Sequence, residues 1–254
     1  MTNARLSARL ARFSLWGAFA LALALTLGRG GSLSAEESKF ATYNRDPLPK
    51  IKILSPREGE VLPEGQEVVV RYELTGLIPK EGGYHVHIIL DDEPYRASYN
   101  LSSFNLGVLP KGSHTLRIFP SRPWHESFKN QGAYDEVNFI VGEPDGKYWI
   151  DHSKPTLTFS RPKRGATYGA DLADRLLIDF YVHGLTLGKD GYHVRITFDD
   201  QSYLLTVWAP LYLENIPDGE HHVKIELLDK DGNLVNANFN PSEGTFSVDR
   251  GKRK

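Results

Sequence analysis

Gly83-Tyr84-His85-Val86-His87-Ile88-Ile89-Leu90-Asp91-Asp92-Glu93-Pro94-Tyr95 recurs later in the chain as Gly191-Tyr192-His193-Val194-Arg195-Ile196-Thr197-Phe198-Asp199-Asp200-Gln201-Ser202-Tyr203. Working outward, Leu109-Pro110-Lys111-Gly112-Ser113-His114-Thr115-Leu116-Arg117-Ile118 is answered by Ile216-Pro217-Asp218-Gly219-Glu220-His221-His222-Val223-Lys224-Ile225. Upstream, Ser55-Pro56 with Gly59 is answered by Arg161-Pro162 with Gly165, and downstream Phe139-Ile140-Val141 by Phe246-Ser247-Val248. So many matches in order at one spacing mark an internal duplication whose unit is a domain.

Both copies read as β. Val68, Val70, Tyr72 and Leu74, then Val86, Ile88 and Leu90, then Leu116 and Ile118 alternate with other residues. Leu176, Ile178, Phe180 and Val182, then Val194, Ile196 and Phe198, then Val223, Ile225 and Leu227 repeat that pattern. A period of two is the signature of half-buried strands. Turn chemistry at residues 79–83, Asp91-Asp92, Lys111-Gly112, Asp218-Gly219 and Asp231-Gly232 punctuates them. No amphipathic helix of useful length follows residue 40. Many short strands in each unit of about 100 residues predict a Greek-key sandwich. On these residues the chain resembles the immunoglobulin-like and fibronectin-type-III-like modules of exported bacterial proteins, over residues 48–142 and 154–249. The resemblance implies an all-β fold of two tandem immunoglobulin-like β-sandwiches and says nothing about activity, because this fold hosts many functions. Between the units, residues 143–153 read as a linker in which Tyr148, Trp149 and Ile150 are apolar enough to pack at the domain junction.

The ends of the chain have a different character. Arg5, Arg9 and Arg12 precede an apolar run from Phe13 to Leu27, followed by small residues up to Ala35. That order predicts a signal peptide over residues 1–35, cleaved after Ser34 or Ala35, and hence a periplasmic or extracellular protein. The run falls short of the roughly 20 residues of a spanning helix, so no membrane span is expected after cleavage; retention as an anchor is the alternative. Residues 36–47 read as a polar leader and 250–254 as a basic tail, a solvated terminus or a weak contact for an anionic lipid or polymer. The signal segment carries four of the 30 basic residues and none of the 32 acidic ones, which leaves 26 basic against 32 acidic, a net charge of −6 instead of −2. An acidic domain pair is a poor partner for nucleic acid.

The chain of 254 residues contains no cysteine, and its one methionine is Met1. Disulfides, iron–sulfur clusters, attached c-type haem, blue copper, thioether copper sites and thiol nucleophiles are thereby excluded from the processed chain. Imidazole and carboxylate remain as metal ligands. His85 and His87, at i and i+2 on a strand, point to one face while Val86, Ile88 and Leu90 point to the other, into the core. Two such rings could supply half of a Zn²⁺ or Cu²⁺ site, although the reading of the chain as a whole calls for no cofactor. The second copy has His193 and Arg195 there, so a metal site would belong to the first repeat, with a third group such as His125. The preferred reading is a solvent-facing strand with polar residues, on which His85, His87 and Arg117, or His193, Arg195 and Lys224, would form an anion or partner surface.

His114 and His221 share the parity of buried neighbours and predict a ring hydrogen-bonded to a nearby loop. Asp91-Asp92 and Asp199-Asp200 predict turns, lacking the alternating ligand spacing of a calcium loop. Residues 119–130 are the most unusual stretch, combining Arg122, Trp124, His125 and Phe128 where the second copy has an Asp231-Gly232-Asn233 hairpin. With Arg117, these residue types suit a recognition loop. Alternatively, Trp124 and Phe128 fold back to cap the sandwich or pack on Trp149. No nucleophile elbow, phosphate loop, zinc-protease or dinucleotide motif is present. The sequence therefore points to a non-enzymatic envelope protein that contacts an envelope protein or a surface glycan, with a His-based Zn²⁺/Cu²⁺-binding protein as the alternative.

Overall fold

The duplicated segments become duplicated strands. A computed structural model describes residues 8–10 and 48–251 and divides into two units with a boundary between Ser153 and Lys154. A short strand β1 (Ala8–Leu10) is described from the first 47 residues; the rest of the expected signal peptide and the leader, like 252–254 of the tail, lie outside the described residues.

The first unit contains β2 (Lys50–Ser55), β3 (Glu60–Leu62), β4 (Glu67–Thr75), β5 (His85–Leu90), β6 (Arg96–Ser98), β7 (Ser103–Val108), β8 (Gly112–Ser121) and β9 (Asp135–Val141). They form a three-stranded sheet, β2-β4-β7, and a five-stranded sheet, β3-β9-β8-β5-β6. The second unit contains β10 (Thr156–Arg161), β11 (Thr167–Tyr168), one helical turn α1 (Ala170–Ala173), β12 (Arg175–His183), β13 (His193–Phe198), β14 (Gln201–Leu205), β15 (Leu211–Glu214), β16 (Gly219–Leu228) and β17 (Ser242–Val248). Its sheets are β10-β12-β15, with β1 beside β15, and β11-β17-β16-β13-β14. Strand for strand the two orders are the same, down to the parallel pairs β3–β9 and β11–β17 and a bulge in β2 and in β10. Each is a two-sheet, Greek-key, immunoglobulin-like sandwich.

Strict alternation builds the cores. β4 buries Val68, Val70, Tyr72 and Leu74 and exposes every residue between them. They meet Val86, Ile88, Leu116, Ile118 and Phe139 from the other sheet. Phe180, Ile196, Phe198, Ile225 and Phe246 do the same in the second unit. Each such side chain removed from water contributes about 1.5–3 kcal/mol, so a one-residue slip in any of these strands would be heavily penalised.

β5 and β8 depart from alternation: every residue of both is buried. Two segments cover the outer face of their sheet. Residues 145–150 lie along one part, where Ser113 Oγ accepts from the amides of Asp145 and Gly146 at 3.1 and 2.8 Å and Asn138 exchanges hydrogen bonds with both backbone groups of Ile150. Most of the linker thus belongs to the first unit; Ile150 is buried there, while Trp149 is 43% exposed. Residues 122–128 cover the other part. No helix among the described residues is long and apolar enough to cross a membrane.

Candidate metal centre

His85 and His87 point outward from β5, as their spacing requires, but not into solvent: they are 1% and 0% exposed. The solvent-facing strand expected for them is replaced by a covered face. Phe119 lies opposite His87 across the β5–β8 ladder and meets its ring edge-on at 5.3 Å. Tyr95, just before β6, stacks on the other side of His87 at 3.7 Å with 11° between the planes.

The third ring arrives from the turn after β8. Arg122 N donates to Glu126 O at 2.9 Å and His125 N to Arg122 O at 2.8 Å, which closes a tight hairpin at the Ser121–Ser127 bridge. The second unit has the same turn: Asp229 N to Asn233 O at 2.9 Å, Gly232 N to Asp229 O at 3.1 Å, and a bridge at Leu228–Leu234. His125 therefore occupies the place of Gly232. Both are in the left-handed region, with φ of 69° and 85°. Glycine reaches that conformation without steric cost, whereas an L side chain costs about 1–2 kcal/mol. The turn holds His125 there through its inward-facing neighbours. Glu126, fully buried, binds Arg122 Nη1 through Oε1 at 3.2 Å and accepts from Trp124 Nε1 through Oε2 at 3.0 Å. The Arg122 guanidinium also lies 4.1 Å from the centre of the Phe128 ring.

Three nitrogens converge as a result. His85 Nε2 lies 3.1 Å from His87 Nε2 and 3.0 Å from His125 Nδ1. All three donor atoms fall within 4.8 Å of one another, and among the described residues this is the one such group of three His or acidic side chains. His85 Nδ1 lies 3.0 Å from Gly83 O, and since a carbonyl only accepts, Nδ1 carries the proton. In the neutral ring the lone pair then sits on Nε2, aimed at the other two rings. A backbone carbonyl fixing the tautomer of a ring is the ordinary support of a metal-binding histidine. Tetrahedral coordination at 2.0–2.1 Å places neighbouring nitrogens about 3.3 Å apart, close to the 3.1 and 3.0 Å separations found here. Lone pairs this close repel unless a proton or cation lies between them.

The other candidates behave differently. Arg117, expected at a partner surface, is buried and donates through Nη2 to Asp91 O. Arg122 and Phe128 are buried as well, so this loop folds back onto the sheet; of residues 122–128, Pro123 is exposed and Trp124 and His125 are half-buried. His114 and His221 make the loop contacts that their parity suggests. Each Nδ1 lies 2.8 Å from the Asp91 or Asp199 carboxylate, and each Nε2 2.9 Å from the Pro110 or Pro217 carbonyl. The second oxygen of each carboxylate accepts the amide of Thr115 or His222 at 2.8 Å. These aspartates, at φ of 52° and 48°, are turn residues with both oxygens engaged. In the second unit Arg195 occupies the place of His87 and donates through Nε to Glu226 Oε2 at 2.7 Å. The Arg195 hydrogen bond holds the Glu226 carboxyl below its ordinary range, against a smaller opposing effect of burial.

Tyr95 and Glu126 were not among the residues that the sequence singled out. A repeat alignment extended through the 119–130 turn sets His125 on Gly232, a substitution whose backbone cost signals a purpose for the ring.

No family model matches the chain, and no curated protein matches it. Among solved structures it is similar to the fibronectin(III)-like modules of Clostridium thermocellum CbhA, at 16% identity and a TM-score of 0.30, over 80% of this chain and 97% of that one. It is also similar to Salmonella alpha-2-macroglobulin (10% identity, TM-score 0.26, 81% of this chain and 15% of that one). A third is the C-terminal domain of the Streptococcus pyogenes antigen I/II-family protein AspA (8% identity, TM-score 0.23, 79% and 99%). None of these similarities bears on ligand or activity.

Proposed function

We propose that this chain is an exported, non-catalytic binding protein that takes up one divalent transition-metal ion, Zn²⁺ or Cu²⁺, through His85 Nε2, His87 Nε2 and His125 Nδ1. The observation that carries this reading is the convergence of those three nitrogens beneath the 122–128 turn, with the His85 tautomer set by Gly83. The donor set suits it: imidazole serves zinc and copper alike, and the chain offers a softer ion no sulfur beyond that of Met1. Export rests on the basic, apolar and small-residue order of residues 1–35. An envelope protein or surface glycan as partner is supported less well, since on this turn such a partner would find only Pro123, Trp124 and His125 within reach.

Calorimetry of tag-free protein with Zn²⁺ and with Cu²⁺ tests the reading. One ion per chain should bind with a Kd of about 10 μM or tighter, roughly 7 kcal/mol, and more weakly as pH falls and protons compete for the rings. The double variant His85→Ala/His87→Ala should show no binding at that level. Affinity that survives in the double variant would place the metal elsewhere.

A further inference from the structure

The two repeats share a tyrosine at the end of their longest match, Tyr95 and Tyr203, but the structure puts the two on opposite faces of the sheet. In the second unit Ile196 pairs with Tyr203, and the ring enters the core. In the first unit Ile88, the counterpart of Ile196, pairs with Arg96 instead. The β5–β6 hairpin is thus one residue longer than its copy. Because side chains alternate along a strand, one added residue transfers the tyrosine to the other side. Tyr95 consequently lies outside the core cluster, 5% exposed, flat against His87. Its hydroxyl lies 3.3 Å from His125 Nδ1. The Tyr203 hydroxyl, by contrast, is occupied within its own strand by Gln201 Oε1 at 2.7 Å.

We infer that Tyr95 is the fourth ligand of the metal centre, so that the site is a closed three-nitrogen, one-oxygen tetrahedron. This rests on the three-histidine reading above and deepens it. The 3.3 Å between Tyr95 Oη and His125 Nδ1 equals the edge of about 3.3 Å that a tetrahedral ion with ligands at 2.0–2.1 Å requires. Together with the 3.1 and 3.0 Å separations among the imidazoles, three of the six edges of one tetrahedron are present. Stacking on His87 keeps the phenol beside the three nitrogens. An ion in the plane of the His87 ring lies off the plane of a ring stacked on it, so the Tyr95 ring tilts out of the stack to bring its oxygen to the ion. On coordination the phenol gives its proton to solvent and binds as the phenolate. A fourth protein donor closes the sphere, the property of a site that holds its ion instead of presenting it to a substrate.

Cu²⁺ reports on this directly, because a phenolate bound to Cu²⁺ gives a visible charge-transfer absorption that imidazole does not. The full chain, exported and purified without a tag, should show that band on adding one equivalent of Cu²⁺, with phenolate modes enhanced in its resonance Raman spectrum. Tyr95→Phe should still bind one Cu²⁺, lack the band, and bind at least tenfold more weakly. Copper bound to the wild-type protein without phenolate modes would overturn Tyr95 as a ligand and leave the three histidines standing. So would an unchanged affinity, or a retained band, in Tyr95→Phe. Absence of any copper binding by the wild-type protein would overturn both. The Raman measurement needs no variant, so the inference stays open to refutation even if Tyr95→Phe fails to fold.

Discussion

The two units of this chain share a strand order, a hairpin after the strand that carries the repeated Gly-Tyr-His-Val, and a buried His–Asp tie, yet they treat one surface in opposite ways. In the second unit the outer face of β13 and β16 is lined by Arg195, Lys224 and Glu226, paired with one another at 2.7 and 2.9 Å and partly open to solvent. In the first unit the corresponding face carries His85, His87, Ile89 and Phe119, all buried. Charged pairs satisfy themselves in water and need no cover. Imidazoles beneath an aromatic lid do need one, and the first unit supplies it with a one-residue insertion before β6 and a histidine where a hairpin wants glycine. The lesson is that one strand substitution, His87 against Arg195, and two altered turns are enough to change how a duplicated sandwich treats the same surface.

The largest expected difference between the copies lies in the stability of those turns. Glu126 is fully buried and holds the Arg122 guanidinium and the Trp124 indole; its counterpart Asn233 is exposed and contacts only its own turn. Removing one partner of a buried ion pair leaves an uncompensated charge and costs about 3–5 kcal/mol. Glu126→Gln should therefore lower the denaturant stability of the first unit by about 3 kcal/mol, while Asn233→Ala changes the second by less than about 0.5 kcal/mol. Equal effects in chemical unfolding would mean that the Arg122–Glu126 pair is not what seats the lid.

Next in size is the substitution that makes the first turn resemble the second. His125→Gly removes a ring from the proposed metal site and the left-handed penalty with it. Cu²⁺ affinity should fall at least a hundredfold, about 2.8 kcal/mol. Metal-free stability should move by no more than about 1 kcal/mol, since the relieved strain and the added freedom of the unfolded chain oppose each other. A weak variant that is also unfolded would point to a packing role for His125 instead.

Much of this molecule is legible in its sequence, and what is not has identifiable causes. The duplication and the period-two runs yield the sandwich because a core between two sheets imposes alternation on the apolar residues that enter it, as β4 shows most plainly. Parity alone also gives the His114 and His221 contacts. The covered face escapes the same reasoning. Val86, Ile88 and Leu90 alternate as a half-buried strand should, and the signal that the other face is buried too lies in Ile89 and Phe119, apolar residues on the supposedly wet side. Arg122 and Phe128 look like a recognition loop because their residue types are those of hot spots; burial against Glu126 depends on a contact that spacing does not display. Tyr95 escapes for a third reason. Sequence alignment pairs it with Tyr203, and only the strand register shows that one residue of loop length has reversed its direction.

The smallest expected effect concerns the feature that the two copies share most closely. Both ring nitrogens of His114 face acceptors, the Asp91 carboxylate and the Pro110 carbonyl, so the ring is fully satisfied only when it carries both protons. Burial opposes the charged form and is the largest single influence. The hydrogen bond to Asp91, the Pro110 carbonyl and the charges of Asp91 and Asp145 together outweigh it, and the His114 pKa stands above its ordinary value of 6.5. A folded-state pKa above the unfolded one means that native protein binds the proton more tightly. The stabilisation is complete below the unfolded value and is lost as pH rises through the folded one. Thermal unfolding followed from pH 5.5 upward should show the first unit losing stability above about pH 6.5, the unperturbed histidine value. Asp91→Asn removes the carboxylate charge that drives the shift and should flatten that decline. If the slope persists in Asp91→Asn, the protons released belong to a different group, and the His–Asp tie holds its turn without its charge.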